Sequence, residues 1–317
     1  MTYTPATVPT MYFIGVSTGK SSIQRVFVEW AKILGRSEVR LQGIDFPLHA
    51  DPSLYREVVS FIKNDRLSLG ALVTTHKVDL FRACKDLFDE VDPYASLLHE
   101  VSSLSKNENG LRAAAKDPIT SGLSLSSFVS DSYWKNSDSE IVCLGAGGSA
   151  LALACHIANQ FGSESGPNRI VVSNRSAKRL EEFRNVYEEL GSRPSIELVH
   201  APVPEINDLL VSNAPRGSLV VNATGLGKDA PGSPLTNKAM FPANGLIWDF
   251  NYRGELVFLD QARAQSRDRK LLIEDGWIYF LHGWTQVISE VLHVAIPPEG
   301  ILFDELAAAA ASVRTIS

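Results

Sequence analysis

Two hydrophobic periods alternate along this chain, and their alternation predicts its architecture. Short apolar runs at residues 11–16, 39–44 and 69–75 have the length and the bounding turns of strands. Between the first two, Ile23, Val26, Phe27, Trp30, Ile33 and Leu34 return at helical spacing. Behind Asp51 or Ser53 as cap, Leu54, Val58, Val59, Phe61 and Ile62 do the same. A further helix is expected over 78–87. Residues 102–105 and 111–115 flank Asn107-Glu108-Asn109-Gly110, whose residues favour a hairpin turn. Pro118 then opens a helix that leads through the polar stretch 130–140 into the next strand.

Strands are predicted again at 141–144, 169–174, 196–200, 219–222, 246–250 and 270–273. A helix striped by Leu180, Phe183, Val186, Tyr187 and Leu190 lies among them, and residues 286–292 and 306–313 read as helical. Strands joined by helices make a doubly wound α/β fold the natural solution. The 317 residues suit two domains: an N-terminal α/β substrate-binding domain over 1–120 and a Rossmann-type domain over 121–283. Helices over 284–317 are expected to return to the first domain.

The stretch that carries chemistry is Ile141-Val142-Cys143-Leu144-Gly145-Ala146-Gly147-Gly148-Ser149-Ala150. A buried strand runs into a glycine turn and then a helix of small residues. Such a turn lets the backbone approach a pyrophosphate, which the free amides at the helix start can bind. An NAD-selective site usually shows a carboxylate at the end of the next strand. Here that strand ends in Asn174-Arg175-Ser176-Ala177-Lys178-Arg179, whose cations attract a 2′-phosphate, so the predicted cofactor is NADP(H). The same residues also suit a polar helix cap with a solvated basic first turn.

Composition narrows the rest. With 44% hydrophobic and 21% charged residues the chain is ordinary globular protein, and its net charge of −6 argues against general nucleic-acid binding. No apolar run approaches a membrane span and no signal-like N-terminus stands out. Cys84, Cys143 and Cys155 lack metal or redox spacing and read as buried thiols. A cytoplasmic monomer or homodimer with a small-molecule substrate is expected.

The order of motifs resembles the shikimate/quinate 5-dehydrogenase family over nearly the full chain. Its marks here are the glycine turn, Asn174-Arg175-Ser176, Asn222-Ala223-Thr224-Gly225-Leu226-Gly227, Asp249 with Tyr252, and Asp275-Gly276 followed by Gln286. The resemblance implies a reversible hydride transfer at a hydroxyl or ketone of a polyhydroxylated alicyclic substrate. It implies Lys77 as proton carrier and Asp117 as its partner, with Ser21, Thr74, Ser102, Tyr252 and Gln286 on the substrate. It implies cofactor contacts by Gly145, Ala146, Gly147, Gly148, Ser149, Ala150, Asn174, Arg175, Ser176, Arg179, Asn222, Ala223, Thr224, Gly225 and Gly276. The chemistry is coherent, since a lysine near the oxygen can protonate the developing alkoxide and a carboxylate can orient it. From the residues alone, Lys77 also suits a solvated helix start, Asp117 a helix cap, and His76 either a proton carrier or a structural group.

The substrate half departs from the family. Counted from Gly15, Ile23 falls where a second hydroxyl is expected, and Ala115-Lys116 replaces Asn-Thr before the aspartate. Shikimate is therefore expected to be a poor substrate unless Lys20 or Lys116 supplies an anion contact. The aromatic residues Trp277, Tyr279, Phe280 and Trp284 suit a ring-binding pocket or simple core. Two other readings are a methylenetetrahydrofolate-dehydrogenase-like enzyme and a non-catalytic NADP(H)-binding regulator.

Overall fold

The computed structural model describes residues 3–135, 137–161, 166–191, 194–228 and 230–314. The chain divides into two compact units, residues 1–116 with 283–317 and residues 117–282.

Unit 1 is built on a mixed sheet of six strands. They are β1 (Thr10–Gly15), β2 (Arg40–Asp45), β3 (Ser68–Val73), β4 (Glu90–Val91), β5 (Ser103–Asn107) and β6 (Gly110–Ala114), in the order β2-β1-β3-β5-β6-β4. β1 lies parallel to β2 and β3, and the predicted hairpin β5–β6 adds antiparallel pairs. Four helices join these strands: α1 (Ile23–Ile33), α2 (Pro52–Asn64), α3 (Lys77–Cys84) and α4 (Pro93–Leu98). Asp51 caps α2, accepting the Ser53 amide at 2.8 Å, with Pro52 as the first helical residue. α1 turns Ile23, Val26, Phe27, Trp30 and Ala31 inward, the stripe that its periodicity predicts.

Unit 2 starts with α5 (Asp117–Ser126) and continues through a fully parallel sheet. Its strands are β7 (Ile141–Leu144), β8 (Arg169–Asn174), β9 (Ser195–His200), β10 (Leu219–Asn222), β11 (Leu246–Asp249) and β12 (Leu272–Glu274). The order β12-β11-β10-β7-β8-β9 is that of a Rossmann sheet, with the topological switch between β7 and β10. Its helices are α6 (Gly148–Phe161), α7 (Ala177–Glu188), α8 (Pro204–Asn213), α9 (Val257–Arg263) and α10 (Ser266–Arg269). β7, β10 and β11 are buried along their whole length, as expected where helices cover both faces.

The last helices complete unit 1. α11 (Trp277–Val291) starts in unit 2 and ends in unit 1, and α12 (Ile301–Arg314) packs on α1. There the Trp30 indole donates to the Leu306 carbonyl at 2.7 Å. Trp284 meets Phe13 of β1 edge-on, with ring centroids 4.9 Å apart.

Candidate functional site

At the switch point of unit 2 the glycine turn is shaped by what lies across from it. Gly145 has φ +113, and a Cβ there would stand 2.8 Å from the Ala223 carbonyl oxygen, so only glycine lets the ends of β7 and β10 close up. Gly147 is different: a Cβ would meet nothing of the protein within 4 Å, and Gly147 and Gly148 are exposed. Ser149 is half-buried, and Ala146 and Ala150 are buried. The first amides of α6 have no intrahelical acceptor, the arrangement by which a helix start binds phosphate. These features fit a dinucleotide pyrophosphate.

The basic cluster ends β8. Asn174 is half-buried, and its amide donates to the Ser176 carbonyl at 3.3 Å. The Ser176 hydroxyl caps α7 by accepting the Arg179 amide. The cap reading and the phosphate reading are compatible, because the side chains of Arg175, Lys178 and Arg179 all remain exposed. Two neighbours escaped the sequence reading. Glu182, one turn along α7, pairs with Arg179 at 2.9 Å, and His200 at the end of β9 bonds the Arg175 carbonyl at 3.1 Å.

The loop after β10 is braced from beneath. Asn222 is fully buried, donating to Asp249 at 3.0 Å and accepting from the Thr224 amide and hydroxyl at 3.1 and 2.6 Å. It therefore shapes the loop, while Ala223 and Thr224 are half-buried and Gly225 is exposed. Gly276 is likewise interior, where a Cβ would stand 2.1 Å from the Phe250 carbonyl oxygen. Tyr252 is half-buried against Trp277 and Phe280, at centroid distances of 5.6 and 4.7 Å. Phe250 stacks on Tyr279 at 4.9 Å, with Trp248 edge-on to both, in a second aromatic group of unit 2.

In unit 1 the ends of β1, β3 and β6 meet the start of β5. Thr74, half-buried, donates its hydroxyl to the Ile14 carbonyl at 3.2 Å, and Gly15 makes room for it. Lys77 is half-buried at the first position of α3, and its carbonyl accepts the Val101 amide at 3.2 Å. Ser102 is buried and its hydroxyl accepts the Lys116 amide at 2.7 Å, which fixes the residue before Asp117. Asp117 is half-buried as the first residue of α5 rather than a cap outside it. Ser21 is half-buried in the turn before α1, and Gln286 is half-buried on α11. His76 is 1% exposed and bonded through Nδ1 to the Tyr55 hydroxyl at 2.9 Å, beside the Phe46 ring. That is a structural placement.

Two expectations about the substrate half are corrected. Ile23 is fully buried on the core stripe of α1, so no substrate group meets it and the hydroxyls of that turn belong to Ser21 and Ser22. Lys116 is no free cation, because its ammonium pairs with Glu290 of α11, which also takes Arg112 at 2.6 Å and the Ser105 hydroxyl at 3.1 Å. The charge of Glu290, four residues from Gln286, was legible in sequence, but its partners depend on tertiary packing. The three cysteines are buried and form no disulfide, and burial pushes the thiols of Cys84 and Cys143 up to about 12. Among the described residues, no helix is long and apolar enough to cross a membrane.

No family model matches the chain. A shikimate dehydrogenase (NADP(+)) from Lactococcus lactis subsp. cremoris is 28% identical over 179 residues, which cover 56% of this chain and 59% of that relative. The match thus spans under two thirds of the relative's length. Among solved structures, quinate dehydrogenase from Corynebacterium glutamicum in complex with NAD superposes with a TM-score of 0.72 at 18% identity, covering 96% of this chain and 99% of the other. Shikimate 5-dehydrogenase from Thermus thermophilus, in complex with NADP(H) and shikimate, gives 0.68 at 22% identity, with 96% and 99% covered. The chain is thus similar in sequence to a shikimate dehydrogenase over that stretch, and it shares the fold of shikimate and quinate dehydrogenases over nearly its whole length.

Proposed function

We propose that the chain is an NADP-dependent oxidoreductase acting reversibly on a hydroxyl or ketone of a polyhydroxylated alicyclic substrate such as shikimate, quinate or a related cyclitol. The observation that carries this reading is the switch point of unit 2, where a glycine turn with open space at Gly147 adjoins a strand ending in exposed cations. The names of the relatives agree with it. Residues 145–150 and the amides of α6 would hold the pyrophosphate, Arg175 and Arg179 the 2′-phosphate, and residues 223–225 the nicotinamide side. Bound NADP(H) supplies the hydride. The chain's own part is proton transfer and positioning: Lys77 gives a proton to the substrate oxygen or takes one from it, and Asp117 orients that lysine. Ser21, Thr74, Ser102, Tyr252 and Gln286 bind substrate hydroxyls. Ser102 retains its O–H as a donor, because its oxygen serves as the acceptor for Lys116.

The test is turnover with NADP⁺ across shikimate, quinate and neutral cyclitols, in the unmodified protein and in Lys77→Met. Turnover on one of them, cut roughly a hundredfold by the substitution with cofactor affinity retained, is the expected result. Tight NADPH binding with no turnover across the series would instead make the chain a nucleotide-binding regulator.

A further inference from the structure

The loop beside the glycine turn hangs from a carboxylate that the proposed reaction does not use. Asp249 ends β11 and is fully buried. One of its oxygens accepts from the Asn222 amide at 3.0 Å, and the other from the Asn251 backbone amide at 2.8 Å. Both partners then grip the loop. Asn222 holds the amide and hydroxyl of Thr224, and the Asn251 side chain donates to the carbonyls of Thr224 and Leu226 at 3.1 and 3.2 Å. A single buried carboxylate therefore sets two asparagines, and these set the segment whose Ala223 carbonyl rests against Gly145.

We propose that Asp249 is the positioning residue of the dinucleotide site, acting through Asn222 and Asn251 on residues 223–226 and touching no ligand itself. The inference rests on the cofactor half of the function proposed above. Because Asp249 accepts, Asn222 must turn its NH₂ toward it and its oxygen toward Thr224. A protonated Asp249 carries an O–H on one of its oxygens and remains an acceptor at the other. With the proton on the oxygen that faces Asn222, the Asn222 amide must reverse to accept it, which sets NH₂ against the Thr224 N–H and releases the loop.

The surroundings place that change in an accessible range. Burial pushes Asp249 up to about 6, against the pull of the Asn251 and Asn222 donors, and the negative charge of Asp275 adds to the rise. β10 offers only Asn222, and Asp275 faces Asp249 from the turn between β12 and α11. Glu274 of β12 stands in register with Trp248 and is itself raised by burial. On α9, Asp260 and Arg263 are exposed and pair with each other at 2.8 Å.

The experiment titrates NADP⁺ and NAD⁺ by calorimetry between pH 5 and 8, in the unmodified protein, Asp249→Asn and Asn222→Ala. NAD⁺ is included because a 2′-phosphate itself titrates near pH 6, whereas NAD⁺ lacks one. The unmodified protein should lose affinity for both nucleotides as pH falls through about 6. Asp249→Asn should bind both about tenfold more weakly at pH 7.5 and show no such step with NAD⁺. Asn222→Ala should behave alike, and the double variant little worse than either. Melting temperature separates positioning from folding, since a purely structural role lowers it in step with affinity. Hydrogen exchange of the amides over 223–226, read without nucleotide, should quicken in Asp249→Asn. Unchanged exchange there, or wild-type affinity with a wild-type pH profile, overturns the inference. Failure of the unmodified protein to bind either nucleotide overturns the cofactor reading and the nucleotide-positioning role with it.

Discussion

Cofactor choice gives the sharpest test, because the structure divides the basic cluster unequally. Arg179 is held by Glu182 at 2.9 Å, with the two side chains 62% and 45% exposed. An exposed pair of this kind is worth up to about 1 kcal/mol, and Arg179 must surrender it to grasp a phosphate. Arg175 is exposed beside it, with its backbone fixed by His200. A charge-assisted contact to phosphate is worth about 1.5–3 kcal/mol, or roughly 10–150-fold in affinity. Arg175→Ala should therefore cut the preference for NADP(H) over NAD(H) by that factor, and Arg179→Ala by less. Replacing both should remove most of it. Glu182→Gln is the informative variant, since it frees Arg179 and should raise the preference by up to about fivefold. Fluorescence titration with NADPH and NADH at low and moderate salt measures each ratio, and the differences should shrink as salt rises. Equal affinity for the two nucleotides in the unmodified protein, or a preference lowered by Glu182→Gln, would refute the reasoning.

Three further outcomes are expected. Gly145→Ala places a side chain at φ +113 and 2.8 Å from the Ala223 carbonyl oxygen. It should cost about 2 kcal/mol or more and lower the melting temperature by roughly 4–8 °C; an unchanged melting curve would show that the two strand ends are not tightly apposed. Glu290→Gln leaves Arg112 and Lys116 without their shared counter-charge, in a site where the glutamate is 12% exposed. Chemical denaturation should register a loss of about 2 kcal/mol, and a change below about 0.5 kcal/mol would make the cluster an ordinary surface network. His282 is 3% exposed, and burial lowers it to about 4. The folded chain refuses a proton that the unfolded chain accepts below about pH 6.5, so His282 costs stability progressively as pH falls from 6.5 toward 4. The difference in unfolding free energy between the unmodified protein and His282→Leu, followed over that range, should change by about 3 kcal/mol; a pH-independent difference contradicts the assignment.

Where hydrophobic periodicity was strong, the elements stood where it placed them: α1, the hairpin and the parallel strands of unit 2 are examples. The elements it passed over have physical reasons. α4 has six residues, too few for a stripe to repeat. α8 hides because its inward face mixes Val211 with the polar Asn207 and Asp208. Asn207 bonds Ser173 at 2.7 Å and the Pro234 carbonyl at 2.9 Å, and Asp208 accepts the Thr236 amide at 2.9 Å. No apolar pattern marks a helix buried through such bonds. The candidate site divides in the same way. Glycine geometry and strand-end charge are local, so Gly145, Gly147 and Arg175 were legible. Ile23 misled because counting residues from Gly15 ignores which way a new helix faces. The roles of Asp249, Glu290 and Glu182 depend on partners brought together by the fold or by one helical turn.

The bond from Trp30 to Leu306 closes a loop of chain 276 residues long, and the whole of unit 2 lies within it. Synthesis order then has a consequence. Unit 2 is continuous in sequence and can fold as soon as its last strand leaves the ribosome. Unit 1 begins before unit 2 and is completed after it, since the buried Trp30 waits for a carbonyl made 276 residues later. Long-range closure of this kind is slow. In the interval the apolar stripe of α1 has no α12 to cover it, and that nascent state is where chaperone capture and aggregation would concentrate.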